Sequence, residues 1–168
     1  RAESYWGLGQ KPKAIEEAQF AIGLKPHYPD AYNLLGALYL EVGRLEEAVA
    51  MLKTGLVQKP PYYSIIVYNP RDYDYVPLMN LAKAYFSLSL PTLAMICLQQ
   101  CLKIYPEDKN LQNTIKLMET EVDRYERVMK EIKKLQNLSG EKLRKALDKV
   151  PEEFQSHPAI CNIRNTNF

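Results

Sequence analysis

Three groupings in this 168-residue chain carry residue types that could do chemistry. Asp72-Tyr73-Asp74 brings together two carboxylates of the kind that hold a divalent cation against a diphosphate, since hard cations prefer carboxylate oxygens. Cys97 and Cys101, four apart, could begin a thiolate metal site, and Gly7-x-Gly9 has the look of a phosphate loop. None of the three finds the support it needs. A nucleotide-binding Asp-x-Asp requires alternating strands and helices around it, and no such alternation exists here. Asp74 also stands where it could cap the helix that follows. The other potential zinc ligands, Cys161, His27 and His157, are scattered along the chain, so the cysteines read as reduced thiols used as small hydrophobes. No Ser/His/Asp or Cys/His set has supporting context, and nothing calls for a cofactor. The expectation is a chain without catalytic or metal-binding residues.

The elements around these residues are helical. Residues 31–42 and 45–57 place apolar side chains at i, i+3, i+4 and i+7, the spacing of one helix face. Gly43 ends the first of these helices, and Pro60 follows the second, where no further turn can form. Gly36 and Ala48 fall where two antiparallel helices would cross, and their small side chains permit close approach. The pattern recurs. Tyr5, Gly9, Ala14, Ala21 and Pro26 precede Tyr39, Gly43, Ala48, Gly55 and Pro60 by 34 positions each. Leu78, Leu81-Ala82, Tyr85, Ala94, Leu98 and Pro106 repeat it again at an offset of 46. Helices of about a dozen residues are marginal alone, so stacking of neighbouring pairs must supply the missing burial.

Tyr32-x-x-Leu35-Gly36-x-x-Tyr39, then Gly43, Ala48-x-x-x-Leu52 and Pro60, resembles the tetratricopeptide repeat, and the likeness extends over about residues 1–108. It implies an all-α fold: a right-handed superhelical stack of antiparallel helix pairs that acts by binding. Three repeats are expected in 1–108, with helices at about 11–25, 30–42, 45–58, 75–88, 91–104 and 108–136. The first repeat lacks most of its first helix, so Arg1 is expected to begin inside a helix, as in a fragment or processed form of a longer protein.

The second and third repeats are separated by 12 extra residues, about 63–74, whose composition differs from their surroundings. Residues 64–68 are β-branched and aromatic, Asn69-Pro70 signals a turn, and Tyr62, Tyr63, Tyr68, Tyr73 and Tyr75 crowd the region. Such rings suit a binding rim, and they equally suit a cover for the third repeat's flank. Residues 109–168 are expected to form a long capping helix and short C-terminal helices. Leu111, Ile115, Met118, Val122, Tyr125, Met129 and Ile132 give the long helix one apolar seam, which could pack on the last repeat or pair with another chain. Ser139 is placed to cap a helix at about 140–149, and Pro158 opens another.

The resemblance locates the partner surface on the first helices. The groove residues are Asp30, Asn33, Ala37, Leu40 and Glu41, then Met79, Asn80, Lys83, Phe86 and Ser87, with Tyr68 and Tyr73 as a rim contributed by the insertion. The best-known ligand of the fold, an acidic chaperone C-terminus, needs Lys, Asn and Arg where this chain has Asn33, Ala37, Asn110 and Thr114. Only Asn80 matches, so a different protein or peptide is expected. Residues 60–106 also look like repeat regions fused to family-2 glycosyltransferases, which would make the chain an accessory region docking an adjoining catalytic domain or presenting acceptor substrate. A net charge of +2 gives no general attraction to nucleic acid, even though residues 123–149 hold nine Lys/Arg against five Asp/Glu. No apolar run reaches membrane-spanning length and the start has no signal pattern, so a cytoplasmic location is expected, away from membranes.

Overall fold

The computed structural model describes residues 1–58 and 69–167. Among these, regular structure is entirely helical: α1 (Ala2–Gly7), α2 (Lys11–Leu24), α3 (Pro29–Glu41), α4 (Leu45–Val57), α5 (Tyr75–Ser87), α6 (Pro91–Ile104), α7 (Lys109–Gln136), α8 (Gly140–Leu147), α9 (Glu152–Gln155) and α10 (Pro158–Asn167), with a 3-10 turn at Pro70–Asp72. No described helix is long and apolar enough to cross a membrane. Pro60, Tyr62, Tyr63 and the β-branched run 64–68 lie outside the described residues.

Packing divides the chain into two compact units, Arg1–Met118 and Glu119–Phe168, so the division falls inside α7. In the first unit α1 pairs with α2, α3 with α4 and α5 with α6, and each pair packs on the next. The small residues at the crossings are why the pairs can close. A Cβ on Gly36 would come within 2.6 Å of Leu52 Cγ and 3.2 Å of the Leu52 backbone nitrogen. Ala48 and Ala14, at the matching place on the second helices, are completely buried. Leu35, Leu38 and Tyr39 of α3 fill the space between α2 and α4, and the Tyr39 hydroxyl accepts from Gln19 Nε2 at 2.9 Å.

All three first helices end in the same turn. Gly43 takes φ +77°, its N–H donates to the Leu40 carbonyl, and the Arg44 N–H reaches back to Tyr39 O at 2.9 Å. Gly9, with φ +73°, repeats these bonds through Trp6 O and Tyr5 O. In the third repeat a serine does the job: Ser89 sits at φ 59°, and the Leu90 N–H bonds Tyr85 O at 2.9 Å. This double closure satisfies carbonyls that the helix end would otherwise leave unpaired.

The second unit has its own core of Val128, Ile132 and Leu135 from α7, Leu143 and Leu147 from α8, and Val150, Phe154 and Ile160 beyond. Two sequence expectations change here. The apolar seam shifts at its C-terminal end: Met129 is 43% exposed, whereas Val128 is 6% exposed. From Tyr125 the buried line runs through 128, 132 and 135, still three and four apart, because α8–α10 bring their apolar residues to that side. Ser139 occupies the position before α8 but its hydroxyl makes no capping bond. The short α9, which puts Phe154 into this core, was not foreseen in the sequence. All nine basic residues between 123 and 149 are exposed. Three basic side chains of this unit meet carboxylates: Arg127 with Glu153, Lys134 with Glu131 and Lys145 with Glu141.

Candidate partner-binding face

The first helices α3 and α5 pack against each other, and the residues leading into α5 are tied down on both sides. On the α3 side, Asn33 Nδ2 donates to the Asp72 carbonyl at 3.3 Å and the Tyr73 hydroxyl donates to Asp30 Oδ1 at 2.9 Å. Burial, and then the neighbouring Asp30 carboxylate, push the Tyr73 phenol well above its ordinary range. On the other side, the Arg71 guanidinium lies 4.7 Å from the Tyr75 ring and 4.6 Å from the Tyr105 ring, and Nη2 pairs with Asp108 at 3.2 Å. The two rings meet edge to face at 5.4 Å. Asp74 accepts from the Tyr75 N–H, capping α5, and from the Tyr105 hydroxyl at 2.7 Å. That bond to a carboxylate holds the Tyr105 phenol up at about 12. Asp108 accepts the Leu111 N–H at the start of α7, and this bond together with Arg71 holds its carboxyl below the usual range.

The two carboxylates of the Asp-x-Asp pair therefore have different surroundings, Asp74 half-buried and Asp72 exposed. Asp74 is a helix cap and tyrosine acceptor, and Asp72 lends its backbone carbonyl to Asn33. Among the described residues no group of three or more His, Cys, Asp or Glu is placed to hold a metal ion. Cys97 and Cys101 are free and buried, and burial pushes each thiol up to about 11, so both remain protonated packing residues.

The structure places the predicted groove residues in three different situations. Asn33 is half-buried, with its Oδ1 turned towards Gly55 of α4, and Leu40 is half-buried beside the core. Glu41 is exposed but engaged: it accepts Trp6 Nε1 at 3.0 Å and pairs with Lys11 at 3.1 Å, contacts that lower its carboxyl's pKa. Asp30 and Tyr73 hold each other. Ala37 is half-buried. On α5 the face is open. Met79 and Asn80 are half-buried, Lys83 is exposed, and Phe86 is 48% exposed. Val76, absent from the sequence-derived set, joins them at 42% exposed. Val76, Met79, Lys83 and Phe86 are spaced three, four and three apart, a single stripe down α5. The opposite side of α5 is buried through Pro77, Leu78, Leu81, Ala82 and Ala84. Tyr68 lies outside the described residues.

Sequence reasoning missed the Arg71 clasp. Asp108, three residues before a buried leucine at the start of a helical run, was the available sign of a cap; that Arg71 would reach it from 37 positions away had no local signal.

Paired helices with matched glycine turns and an open first-helix stripe define a helical-repeat scaffold. Comparison with protein families matches residues 5–65 and residues 77–108 to the tetratricopeptide repeat. The chain belongs to the tetratricopeptide-repeat family, whose repeats in general mediate protein or peptide binding. A search of curated proteins returned no match.

Proposed function

We propose that the chain binds a peptide segment of a protein partner along the α5 stripe, with the partner contributing apolar side chains to Val76 and Phe86 and a carboxylate to Lys83. One observation carries this reading: α5 leaves two large apolar side chains and a cation on one face while its other face is fully committed to the core. Large apolar groups kept in water on a rigid helix are affinity held in reserve, and a few such anchors supply most of the energy of a typical interface. The α3 part of the first-helix face contributes less, because Asp30, Asn33 and Glu41 already have partners within the chain.

The reading is tested by selecting peptides from a random library on the purified chain and measuring their affinity for variants. Phe86→Ala should weaken binding by about 1–2 kcal/mol and Lys83→Glu should reverse the preference for acidic peptides, with the helical circular dichroism unchanged. Peptides that tolerate both changes and are lost on neutralising the basic residues at 124–134 would move the site to α7.

A further inference from the structure

The open stripe of α5 has a counterpart on α3 that the chain itself covers. Val76, Met79, Lys83 and Phe86 follow Asp30, Asn33, Ala37 and Leu40 by 46 positions each, the offset between the second and third repeats. On α5 the first of these positions is open, with Val76 42% exposed. On α3 the first two are taken by the strap of residues 69–74 that leads into α5. The Tyr73 hydroxyl donates to Asp30 Oδ1 at 2.9 Å, and Asn33 Nδ2 donates to the main-chain carbonyl of Asp72 at 3.3 Å. A main-chain contact that any residue can make, joined to a side-chain contact that only a donor can make, is how peptide recognition divides affinity from specificity. The two sides of the strap are held unequally. On one side it is anchored by the Arg71–Asp108 ion pair, by Arg71 against the Tyr75 and Tyr105 rings, and by Asp74 on the Tyr105 hydroxyl. Towards α3 the fit is incomplete: Asn33 Oδ1 is buried and accepts no hydrogen bond among the described residues, and Asp30 stays exposed around the bond it makes. A buried acceptor without a donor carries a cost, so the α3 side is the one that gives way.

We propose, resting on the first-helix face being the partner surface, that Asp72 and Tyr73 are an internal ligand for its α3 half, displaced by a partner peptide that crosses over from the α5 stripe. The α3 subsite then takes a tyrosine whose hydroxyl donates to Asp30 and whose preceding main-chain carbonyl accepts from Asn33. Displacement asks only that the Tyr73 side chain swing out and the Asp72 carbonyl turn away. Arg71 and Asp74 keep their contacts, so α5 keeps its cap. A tethered ligand acts at a high effective concentration, which closes the subsite to weak peptides and opens it to those that already hold the stripe.

N-acetyl-tyrosinamide carries the phenol and the preceding carbonyl, and nothing in it reaches α5, so it probes the α3 subsite alone. Followed by NMR, it should shift the amide resonances of residues 30–33 in a Tyr73→Ala chain at about tenfold lower concentration than in the wild-type chain. Adding Asp30→Ala should abolish that response, and N-acetyl-phenylalaninamide should give none. Should Tyr73→Ala lose its helical circular dichroism, Tyr73→Phe carries the same comparison, since it removes the hydroxyl and keeps the ring. An equal response in the wild-type and variant chains would overturn the proposal, as would no response in a folded variant or one that survives Asp30→Ala. The stripe is judged separately: selected peptides indifferent to Phe86→Ala would sink the α5 reading and leave the tyrosinamide response as it is.

Discussion

Replacing Ser89 by glycine should stabilise the first unit. Ser89 closes α5 at φ 59°, in the turn that Gly9 and Gly43 make at φ +73° and +77°. A residue with a Cβ pays about 1–2 kcal/mol to enter the left-handed region, because Cβ crowds the following carbonyl. Glycine gives back part of that gain, about 0.4–1 kcal/mol, because the unfolded chain becomes freer. The net is a stabilisation of about 0.5–1 kcal/mol, equivalent to a rise of roughly 1–4 °C in melting temperature for a chain of this size. The reverse change isolates the same quantity. Apart from its own chain neighbours nothing lies within 4 Å of a Cβ built on Gly43, so Gly43→Ser meets no other element and should lose a similar amount through backbone conformation alone. Thermal melts followed by circular dichroism measure both. A lower melting temperature for Ser89→Gly, or an unchanged one for Gly43→Ser, would refute the equivalence of the three turns.

At the helix crossing, Gly36→Ala should cost about 1–3 kcal/mol in a chemical-denaturation series, because its Cβ would press on the Leu52 backbone as well as its side chain, and Ala48→Leu should cost a similar amount by overpacking. Tyr105, held up at about 12 by its bond to Asp74, is favoured in its protonated form by the fold. Its contribution to stability is therefore complete below pH ~10 and lost as the pH climbs from there to about 12, so phenolate absorbance should show late-titrating tyrosines, one of which an Asp74→Asn substitution brings down. Arg71→Ala removes two cation–ring contacts and a partly exposed ion pair, and should cost roughly 1 kcal/mol while speeding exchange at the amides that open α5.

The repeat portion of the fold was legible because its signals are local and recur. Gly9, Gly43, Gly36 and Ala48 are residues that only a turn or a close crossing demands, and their spacing placed every helix boundary from α2 to α7 within a few residues. The C-terminal unit was less readable, since α7 offers apolar residues on more than one side. Val128 and Met129 are equally apolar in sequence, and only the arrival of α8–α10 decides between them. The candidate face was legible as positions on α3 and α5, but which of those positions remain open depends on long-range partners. Trp6 and Lys11 engage Glu41, and Tyr73 engages Asp30, from 35, 30 and 43 positions away. No local pattern announces such pairings, just as none announced that Val76 would stay open.

The clasp of Arg71, Asp74, Tyr105 and Asp108 has a consequence for how this sequence can diversify. The start of α5 is set by contacts that begin at Asn69, whose side chain accepts the Arg71 N–H, and they draw on the third repeat itself. A change at Asn69, Arg71 or Asp74 therefore reaches the start of α5, the Tyr105 hydroxyl and the opening of α7 together. Arg71, Asp74, Tyr105 and Asp108 are therefore expected to change together or not at all as the sequence diversifies, because replacing one strips the others of a ring, carboxylate or guanidinium partner.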